Sequence, residues 1–249
     1  TLCLGDTSFN LRSQLTGTFN LENILCAAGA AHALDIPAHQ IKKGIENCHT
    51  IPGRLEKIDN SIDRFLFVDY AHTPDALYNV LSTINMIRTR NENLITVVGC
   101  GGNRDQEKRP IMGEKAVLLS DKVIFTSDNP RDEDPVIIIS DMFKGVPPEH
   151  YKKAIKVTLR EEAILRAGQL AKPGDIVLIA GKGHEKYQEI IIENEKRKVV
   201  VLAYTHHEGP MFESKNIGPF SLPQRNQLEK TLKKYIDDGY FTILRYHGG

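Results

Sequence analysis

Two short polar blocks carry the side chains best suited to chemistry. Residues 127–131 have the sequence Ser-Asp-Asn-Pro-Arg, and residues 181–185 have the sequence Gly-Lys-Gly-His-Glu. Each block follows an apolar, β-rich run, so each is expected where a strand ends, which is where open α/β sheets bind ligands. We expect Arg131 and Glu185 to project from neighbouring strand ends into one crevice. An arginine and a carboxylate together suit a zwitterion such as an amino acid.

Within each block the residue types favour a defined role. Asp128 and Asn129 are expected to bond locally in a turn, while Pro130 stiffens the backbone and holds Arg131 in one orientation. Glu185 would repel a phosphate and attract an ammonium group. A plain turn at the first block and a solvated turn at the second are the alternatives.

A third cluster follows an apolar run at residues 68–75, Val-Asp-Tyr-Ala-His-Thr-Pro-Asp. Thr73 is a suitable N-cap for a helix that begins with proline. A helix N-terminus favours anions, and Tyr70 and His72 offer flat faces for a nucleotide base. Each residue alone is compatible with an ordinary capped helix. Together with Asp69 at the same strand end, they favour nucleotide contact.

A glycine-rich segment, Val-Gly-Cys-Gly-Gly-Asn-Arg-Asp, occupies residues 98–105. It matches neither the dinucleotide fingerprint, whose third glycine position holds Arg104, nor a Walker A loop. Its glycines would let the backbone approach a ligand, with Arg104 donating to a carboxylate or phosphate. A tight turn with a solvated arginine fits the local sequence equally well. Lys108 and Arg109, which follow, are expected to be ordinary surface residues.

Composition excludes several classes of function. The 249-residue chain has 32 basic and 32 acidic residues, which argues against binding nucleic acid or an anionic membrane. The four cysteines form no C-x-x-C pair, and the His206-His207-Glu208 run is poorly spaced for chelation, so we predict no metal site. No long apolar run or signal peptide is present, so we expect a cytoplasmic protein. The chain begins with Thr1, so we expect it to start within a longer gene product.

Apolar β-rich runs alternate with helical patterns from residue 54 onward. This alternation predicts an α/β fold with a Rossmann-like, doubly wound parallel sheet. The predicted strands are 65–69, 94–98, 122–126, 154–157 and 175–180, and the predicted helices are 74–89, 109–119, 135–144 and 160–171.

The two ends of the chain differ from this pattern. Residues 1–52 predict a short strand, a turn and two helices, one of which presents Leu25, Ala28, Ala31 and Leu34 on one face. Pro52-Gly53 is a plausible junction. Beyond about residue 198, strands at 199–202 and 241–246 flank a Gly- and Pro-bearing stretch at 209–223 and a helix at about 224–237. The sequence leaves open whether this tail continues the main sheet.

In series, these blocks resemble the carboxy-terminal part of a Mur ligase, most closely the MurE type that adds the third peptide residue in peptidoglycan synthesis. The similarity covers roughly residues 1–190. Its matching segments are 15–23, 51–56, 69–76, 99–110, 127–135 and 180–188.

This resemblance implies three units: residues 1–52 as the end of the central ATPase domain, 53–198 as the carboxy-terminal domain, and 199–249 as an unassigned tail. It also implies two sets of site residues. The set bordering ATP comprises Asn20, Asn23, Arg54, Asp69, Tyr70 and His72. The set holding the incoming amino acid comprises Arg104, Asp128, Asn129, Arg131, Gly181 and Glu185. The arginine of the Asp-Asn-Pro-Arg block resembles that of enzymes selecting meso-diaminopimelate.

The implied activity is that of an acid–amino-acid ligase, which uses ATP and Mg²⁺ to join meso-diaminopimelate to UDP-MurNAc-L-Ala-D-Glu. The chain has no G-x-x-G-K-[ST] loop, and the family's magnesium-binding acid and modified lysine belong to a portion that it lacks. We therefore expect no ligase activity from this chain alone. Two alternatives remain: a noncatalytic module that binds an amino acid or nucleotide, and another ligase of the Mur and folylpolyglutamate synthetase superfamily. Arg104 at the third glycine position disfavours an NAD(P)-dependent oxidoreductase.

Overall fold

A computed structural model describes residues 1–203, apart from residues 6, 62, 186, 187, 193 and 194, together with residues 242–246. The N-terminal part contains β1 (Leu2–Leu4), β2 (Thr7–Phe9), α1 (Thr18–Ala33) and α2 (Ala38–Glu46). Next come β3 (Glu56–Ile58), β4 (Phe65–Asp69), α3 (Pro74–Ile87), β5 (Leu94–Val98), α4 (Lys108–Leu119), β6 (Lys122–Phe125), α5 (Pro135–Lys144), a 3-10 helix (Pro148–Lys153), β7 (Ala154–Lys156), α6 (Arg160–Leu170) and β8 (Ile176–Ala180). The last described strands are β9 (Gln188–Ile192), β10 (Glu195–Ala203) and β11 (Thr242–Tyr246).

The main sheet has six strands in the order β3-β4-β8-β5-β6-β7. The edge strand β3 runs antiparallel to β4, and the other neighbouring pairs are parallel. Helices α3, α4 and α5 pack on one face and α6 packs on the other. The predicted α/β sheet with helices on both faces is confirmed, with an added antiparallel edge.

The position of β8 corrects one expectation from the sequence. Because β8 inserts between β4 and β5, the strands that precede the two polar blocks, β6 and β8, are separated by β5. The prediction that these strand ends are neighbours was wrong. The order of elements along the chain does not specify where the last parallel strand enters the sheet.

Buried apolar side chains fix the strand ends on which the loops depend. All five residues of β5 are buried, as expected for a central parallel strand covered on both faces. Leu77, Leu81 and Ile84 of α3 are each 0% exposed and pack in the larger core with Met112 and Phe125. Burial of each such side chain contributes about 1.5–3 kcal/mol, so the framework beneath the loops is rigid.

The N-terminal piece has its own small core. Strands β1 and β2 form an antiparallel hairpin, and Leu2, Leu4, Ala28 and Ile41 form a separate buried cluster. The predicted helix face was only partly correct. Ala28 packs with the hairpin residues Leu2 and Leu4, whereas Leu25 on α1 and Leu34 just after it are exposed.

The tail strands form a sheet of their own. Strands β9, β10 and β11 pair antiparallel in the order β11-β10-β9, and β10 continues across residue 198. The strands expected at 199–202 and 241–246 are therefore present, whereas the stretch at 209–223, the helix at 224–237 and His206-His207-Glu208 lie outside the described residues. In the part of the chain that is described, none of the helices combines the length and apolar character needed to cross a bilayer.

Candidate functional site

The carboxyl ends of β4, β8, β5 and β6 gather their loops at one edge of the main sheet. At Gly99, just after β5, a Cβ atom would lie 2.4 Å from Thr126 O and 3.1 Å from Asp128 N. Because glycine lacks that atom, the loop after β6 passes over the end of β5. Asp128 Oδ2 then reaches within 2.9 Å of where a Gly181 Cβ would stand. This crossing brings the two polar blocks together even though their strands are not adjacent.

Arg131 is held against the glycine-rich loop. Its backbone φ is +53°, a left-handed conformation that costs a non-glycine residue about 1–2 kcal/mol. Its Nη1 donates to Gly102 O at 2.8 Å, and Gly102 N donates to Asn129 O at 2.8 Å. A Cβ at Gly102 would lie only 1.9 Å from Pro130 O. The glycines thus admit the protein's own backbone, whereas the sequence had suggested that they admit a ligand.

Arg104 flanks the same loop. A Cβ built on Gly101 would lie 3.0 Å from Arg131 Nη1 and 3.8 Å from Arg104 Cγ, so both arginine side chains pass beside Gly101. Arg104 is exposed. Two arginines on adjoining loops are thus brought to the same glycine, and guanidinium groups suit carboxylates.

Glu185 joins three elements through its carboxylate. Its Oε1 accepts from Tyr70 OH at 3.2 Å, and its Oε2 accepts from Asn129 Nδ2 at 3.3 Å and from Lys182 Nζ at 3.0 Å. Burial raises the pKa of the Glu185 carboxyl, but the hydrogen bond and charge of Lys182, together with Asn129 and Tyr70, outweigh it and hold this pKa below its usual value. The carboxylate is therefore charged at neutral pH.

Lys182 lies beneath this carboxylate. Its Nζ also donates to Asn129 Oδ1 at 2.8 Å and lies 3.8 Å from Asp128 Oδ1. Its side chain is only 11% exposed. The sequence interpretation assigned Glu185 to a ligand's ammonium group, but the structure shows that its Oε2 already binds a cation of the chain itself.

Arg160, the first residue of α6, supports both polar blocks from below. It is 9% exposed, and its Nη2 donates to Ala180 O at 2.7 Å while its Nη1 reaches Ser127 O at 3.5 Å. Burial lowers the pKa of the guanidinium, and the nearby charges of Asp128 and Glu185 act in the opposite direction. The cluster therefore contains two carboxylates and two buried cations.

Arg109 was expected on the surface, and that expectation was wrong. It is 0% exposed, with Nη2 donating to both Glu133 carboxylate oxygens at 2.8 Å and Nη1 to Asp141 at 3.0 Å. Glu133 also accepts from the backbone of Asn103. Burial raises the pKa of Glu133, but the Asn103 and Arg109 donors outweigh it, so the pKa lies below its usual value. This network ties the loop after β5 to the loop after β6.

A cationic and aromatic patch lies beside Glu185. The Arg54 guanidinium stands 4.8 Å from the centre of the Tyr70 ring. The ring centres of His72 and His184 lie 4.6 Å and 5.7 Å from that of Tyr70. Burial, followed by the charge and hydrogen bond of Glu185, raises the pKa of Tyr70, so its hydroxyl stays protonated as a donor.

Asp69 has a structural task at the base of this patch. Its carboxylate accepts from Leu55 N at 2.7 Å and from Ala71 N at 2.8 Å, and its backbone carbonyl accepts from the amides of Gly181 and Gly183. Burial is the main influence on its pKa, which is raised. Its carboxylate is directed at the backbone, so it organises the base of the site, and its role toward a nucleotide stays a prediction.

The two asparagines predicted near adenine lie on α1. Asn20 Nδ2 donates to Thr16 O at 2.8 Å, and Asn23 Nδ2 donates to Asn20 Oδ1 at 3.3 Å. Phe19, next to Asn20, packs against the larger core and anchors the start of this helix there. The role of both asparagines stays a prediction.

Cys100, in the loop after β5, is buried. Burial raises the pKa of the Cys100 thiol to about 12, so this cysteine is protonated at neutral pH. Among the described side chains, no group of three or more His, Cys, Asp or Glu residues is arranged to hold a metal ion.

Comparison with known proteins identifies the family of this chain. Residues 53–183 match the family described as Mur ligase, glutamate ligase domain. The chain belongs to this Mur ligase family.

Relatives within the family are almost half identical to this chain over the aligned segment. A UDP-N-acetylmuramoyl-L-alanyl-D-glutamate–2,6-diaminopimelate ligase of Chlorobium phaeobacteroides is 45% identical over 189 residues, which is 76% of this chain and 36% of the relative. A ligase of the same name from Bacillus licheniformis is 49% identical over 176 residues, or 71% of this chain and 35% of the relative. A solved structure of a ligase with this name has a TM-score of 0.53 and 42% identity, covering 75% of this chain and 37% of that one. The chain therefore spans little more than a third of the length of the ligases it matches.

Three buried cations of this Mur ligase chain were missed in the sequence. Lys182 stands within a block that drew attention for its glutamate, Arg160 begins a helix among acidic neighbours, and Arg109 follows a lysine at the start of another. The carboxylate of Glu185, three residues after Lys182, was the local signal for an ion pair.

Proposed function

We propose that this chain is the amino-acid-binding part of a ligase that uses ATP to join meso-diaminopimelate to UDP-MurNAc-L-Ala-D-Glu. The observation that carries the proposal is the meeting of two loops, in which Asn129 bonds Glu185 and the neighbouring Arg131 stands beside Arg104. Cations and a carboxylate are thus presented together at the carboxyl edge of the sheet. The names of the relatives support diaminopimelate as the amino acid.

Each predicted residue then has a task toward the amino acid. Arg131 and Arg104 bind carboxylates, and Arg131 is already oriented by Gly102 O. Glu185 Oε1, which accepts from Tyr70 OH at 3.2 Å, binds an ammonium group. Gly181, at φ +111°, keeps the space beside Asp128 free of a side chain.

The patch of Arg54, Tyr70 and His72 is proposed to border the nucleotide, with Asn20 and Asn23 contributing from α1. The geometry of the patch supports this proposal, because the Tyr70 ring and the Arg54 guanidinium over it provide a flat, positively charged surface for a base or phosphate. ATP and Mg²⁺ would supply the phosphoryl group that activates the acceptor carboxylate. The residues of this chain orient the amine and shield it from water.

Because the sequence contains no Walker A loop, we propose that this chain binds the amino acid but needs the remaining part of the ligase for catalysis. A longer protein that includes such a loop is expected to form the amide bond in the presence of ATP and Mg²⁺. Amide formation by the 249-residue chain alone would contradict this division of labour.

Calorimetric titration tests the choice of amino acid. Wild-type chain should bind meso-diaminopimelate at least tenfold more tightly than L-lysine, which lacks the distal carboxylate. Arg131→Ala should lose on the order of 2–5 kcal/mol of diaminopimelate binding, since a charge-paired arginine is removed. Arg166→Ala, which changes an exposed arginine on α6, is the matched control and should bind normally.

Three results would contradict the proposal. Equal affinity for lysine and diaminopimelate would remove the role of Arg131 in specificity. Preferred binding of glutamate or D-Ala-D-Ala would favour another ligase of the superfamily. Absence of binding to all of these amino acids would remove the amino-acid pocket itself.

A further inference from the structure

Lys182 occupies an unusual position among the charged residues of the site. Its ammonium group contacts Asn129, which comes from the loop after β6, and Glu185, which comes from the loop after β8, at 2.8 Å and 3.0 Å. It also stands 3.8 Å from Asp128. One cation therefore links two loops whose strands are separated by β5.

The lysine lies on the protein side of Glu185. Its side chain is 11% exposed against 19% for Glu185, and it binds Oε2, the oxygen that also accepts from Asn129 Nδ2. The other oxygen, Oε1, accepts from Tyr70 OH and has a lone pair to spare. An incoming ammonium group thus has its own oxygen to bind, and Lys182 need not leave.

We propose that Lys182 is a positioning residue of the amine subsite, which locks Asn129 and Glu185 in their binding arrangement before the amino acid arrives. This inference rests on the proposed function, because it assumes that Glu185 meets an ammonium group. The lysine faces both carboxylates of the cluster, Asp128 and Glu185, and shares with Arg160 the task of balancing their charge.

The lysine should also control the titration of Glu185. The charged and titratable groups facing or adjoining Glu185 are Lys182, Asp128, Tyr70, Arg160, Arg54 and His184. Of these, Lys182 is the cation in direct contact with the carboxylate. Its removal leaves Asp128 as a nearby like charge, so the pKa of Glu185 should rise.

The experiment replaces Lys182 in the full 249-residue chain. Lys182→Met removes the charge and the donors, whereas Lys182→Gln keeps a donor for Asn129 without the charge. Lys153→Met is the matched control, because Lys153 is also partly buried and donates to Val117 O and Ser120 O, at the opposite edge of the sheet. Circular dichroism checks that each variant is folded.

Two measurements are made on every variant. In the ligand-free chain, ¹³C NMR titration of the Glu185 carboxyl should give a higher pKa in Lys182→Met and Lys182→Gln than in wild type, and an unchanged pKa in Lys153→Met. Calorimetry at pH 7 should show meso-diaminopimelate binding at least tenfold weaker in the two Lys182 variants. Lys182→Arg, which retains a cation, should keep the Glu185 pKa low and recover part of the affinity.

The two measurements separate failure of this inference from failure of the proposed function. If wild type binds diaminopimelate and the folded Lys182 variants bind it equally well, the positioning role is overturned while the proposed function stands. If wild type binds no diaminopimelate, the proposed function fails. An unchanged Glu185 pKa in Lys182→Gln would overturn the inference in either case. If Lys182→Met does not fold, Lys182→Gln gives the decisive comparison.

Discussion

The two edges of the main sheet use carboxylates in different ways. At the amino edge, the shortest hydrogen bonds to Asp175 come from the backbone amides of Asn93 and Lys172, each at 2.8 Å, and the Asn93 side chain also donates at 3.2 Å. At the carboxyl edge, Glu185 accepts from the side chains of Tyr70, Asn129 and Lys182. Backbone donors are fixed by the fold, whereas side-chain donors from several crossover units can accommodate a ligand.

A second carboxylate at the amino edge combines a backbone donor with a side-chain donor. Asp121 accepts from Leu94 N at 2.8 Å, at the start of β5, and pairs with Arg88, which directly follows α3. Burial raises the pKa of Asp121, but the Leu94 amide and Arg88 outweigh it, and the pKa lies below its usual value. The carboxylates at the amino edge therefore stabilise the turns there, whereas Glu185 at the carboxyl edge belongs to the proposed binding site. Asp69 is the exception, because it fixes backbone amides at the binding edge.

The largest loss of stability is expected from Asp175→Ala. This change removes the acceptor for two backbone amides at a residue that is 4% exposed, and a hydrogen bond to a charged group contributes about 1.5–3 kcal/mol. We expect the free energy of unfolding to fall by about 2–4 kcal/mol in urea titration. Binding of meso-diaminopimelate should be unchanged at temperatures where the variant is folded.

Asp175→Asn keeps one acceptor oxygen and is the control, with an intermediate loss expected. If Asp175→Ala weakened amino-acid binding as strongly as Arg131→Ala, the division between the two edges would be wrong.

A smaller loss of stability, together with weaker binding, is expected from Arg160→Met. This variant tests whether one residue at the carboxyl edge contributes to both the fold and the site. The variant leaves Ala180 O and Ser127 O without their donor and removes a cation beneath Asp128 and Glu185. We expect a loss of about 1–3 kcal/mol in unfolding free energy, together with weaker diaminopimelate binding. Normal binding in a destabilised variant would place Arg160 with the structural residues of the amino edge.

The sequence predicted the strands well, whereas the roles of the site residues stay predictions. Strands β4 and β5 have their predicted bounds, because their apolar runs are bounded sharply by polar residues or glycine. Arg131 and Glu185 could be singled out because charged side chains at strand ends are a local signal. Contacts such as that between Lys182 and Asn129, 53 positions apart, depend on where β8 enters the sheet, and no local pattern encodes that position.

The burial of Arg160 and Arg109 could not be predicted for a related reason. Each stands at or near the start of a helix, where a charged residue is ordinarily exposed, and its acceptors come from distant loops. Arg109 meets Glu133 only after the loops following β5 and β6 have folded against each other through Gly102. The residues that position the site are therefore harder to predict than the residues that would touch a ligand.

The smallest effect on stability, and a clear effect on binding, is expected from Glu185→Gln. The pKa of Glu185 lies below its usual value, because the hydrogen bonds and charge of Lys182, with Asn129 and Tyr70, outweigh burial, so the charged form is favoured in the folded state. Its contribution, about 1 kcal/mol, is fully present above about pH 4.5 and is lost as the pH falls through the lower folded pKa. The difference in unfolding free energy between wild type and Glu185→Gln should thus be larger at pH 7 than at pH 3.

The binding measurement should distinguish Glu185→Gln from wild type more clearly than the stability measurement. At pH 7 Glu185→Gln should bind meso-diaminopimelate at least tenfold more weakly, because residue 185 then has no carboxylate charge to attract the ammonium group. Glu114→Gln, at an exposed position of α4, should match wild type in both measurements. A stability difference that grew toward acid would mean that folding raises the Glu185 pKa. The side-chain donors around it would then be weaker than the burial they oppose, and the carboxyl edge would not hold a preformed anion.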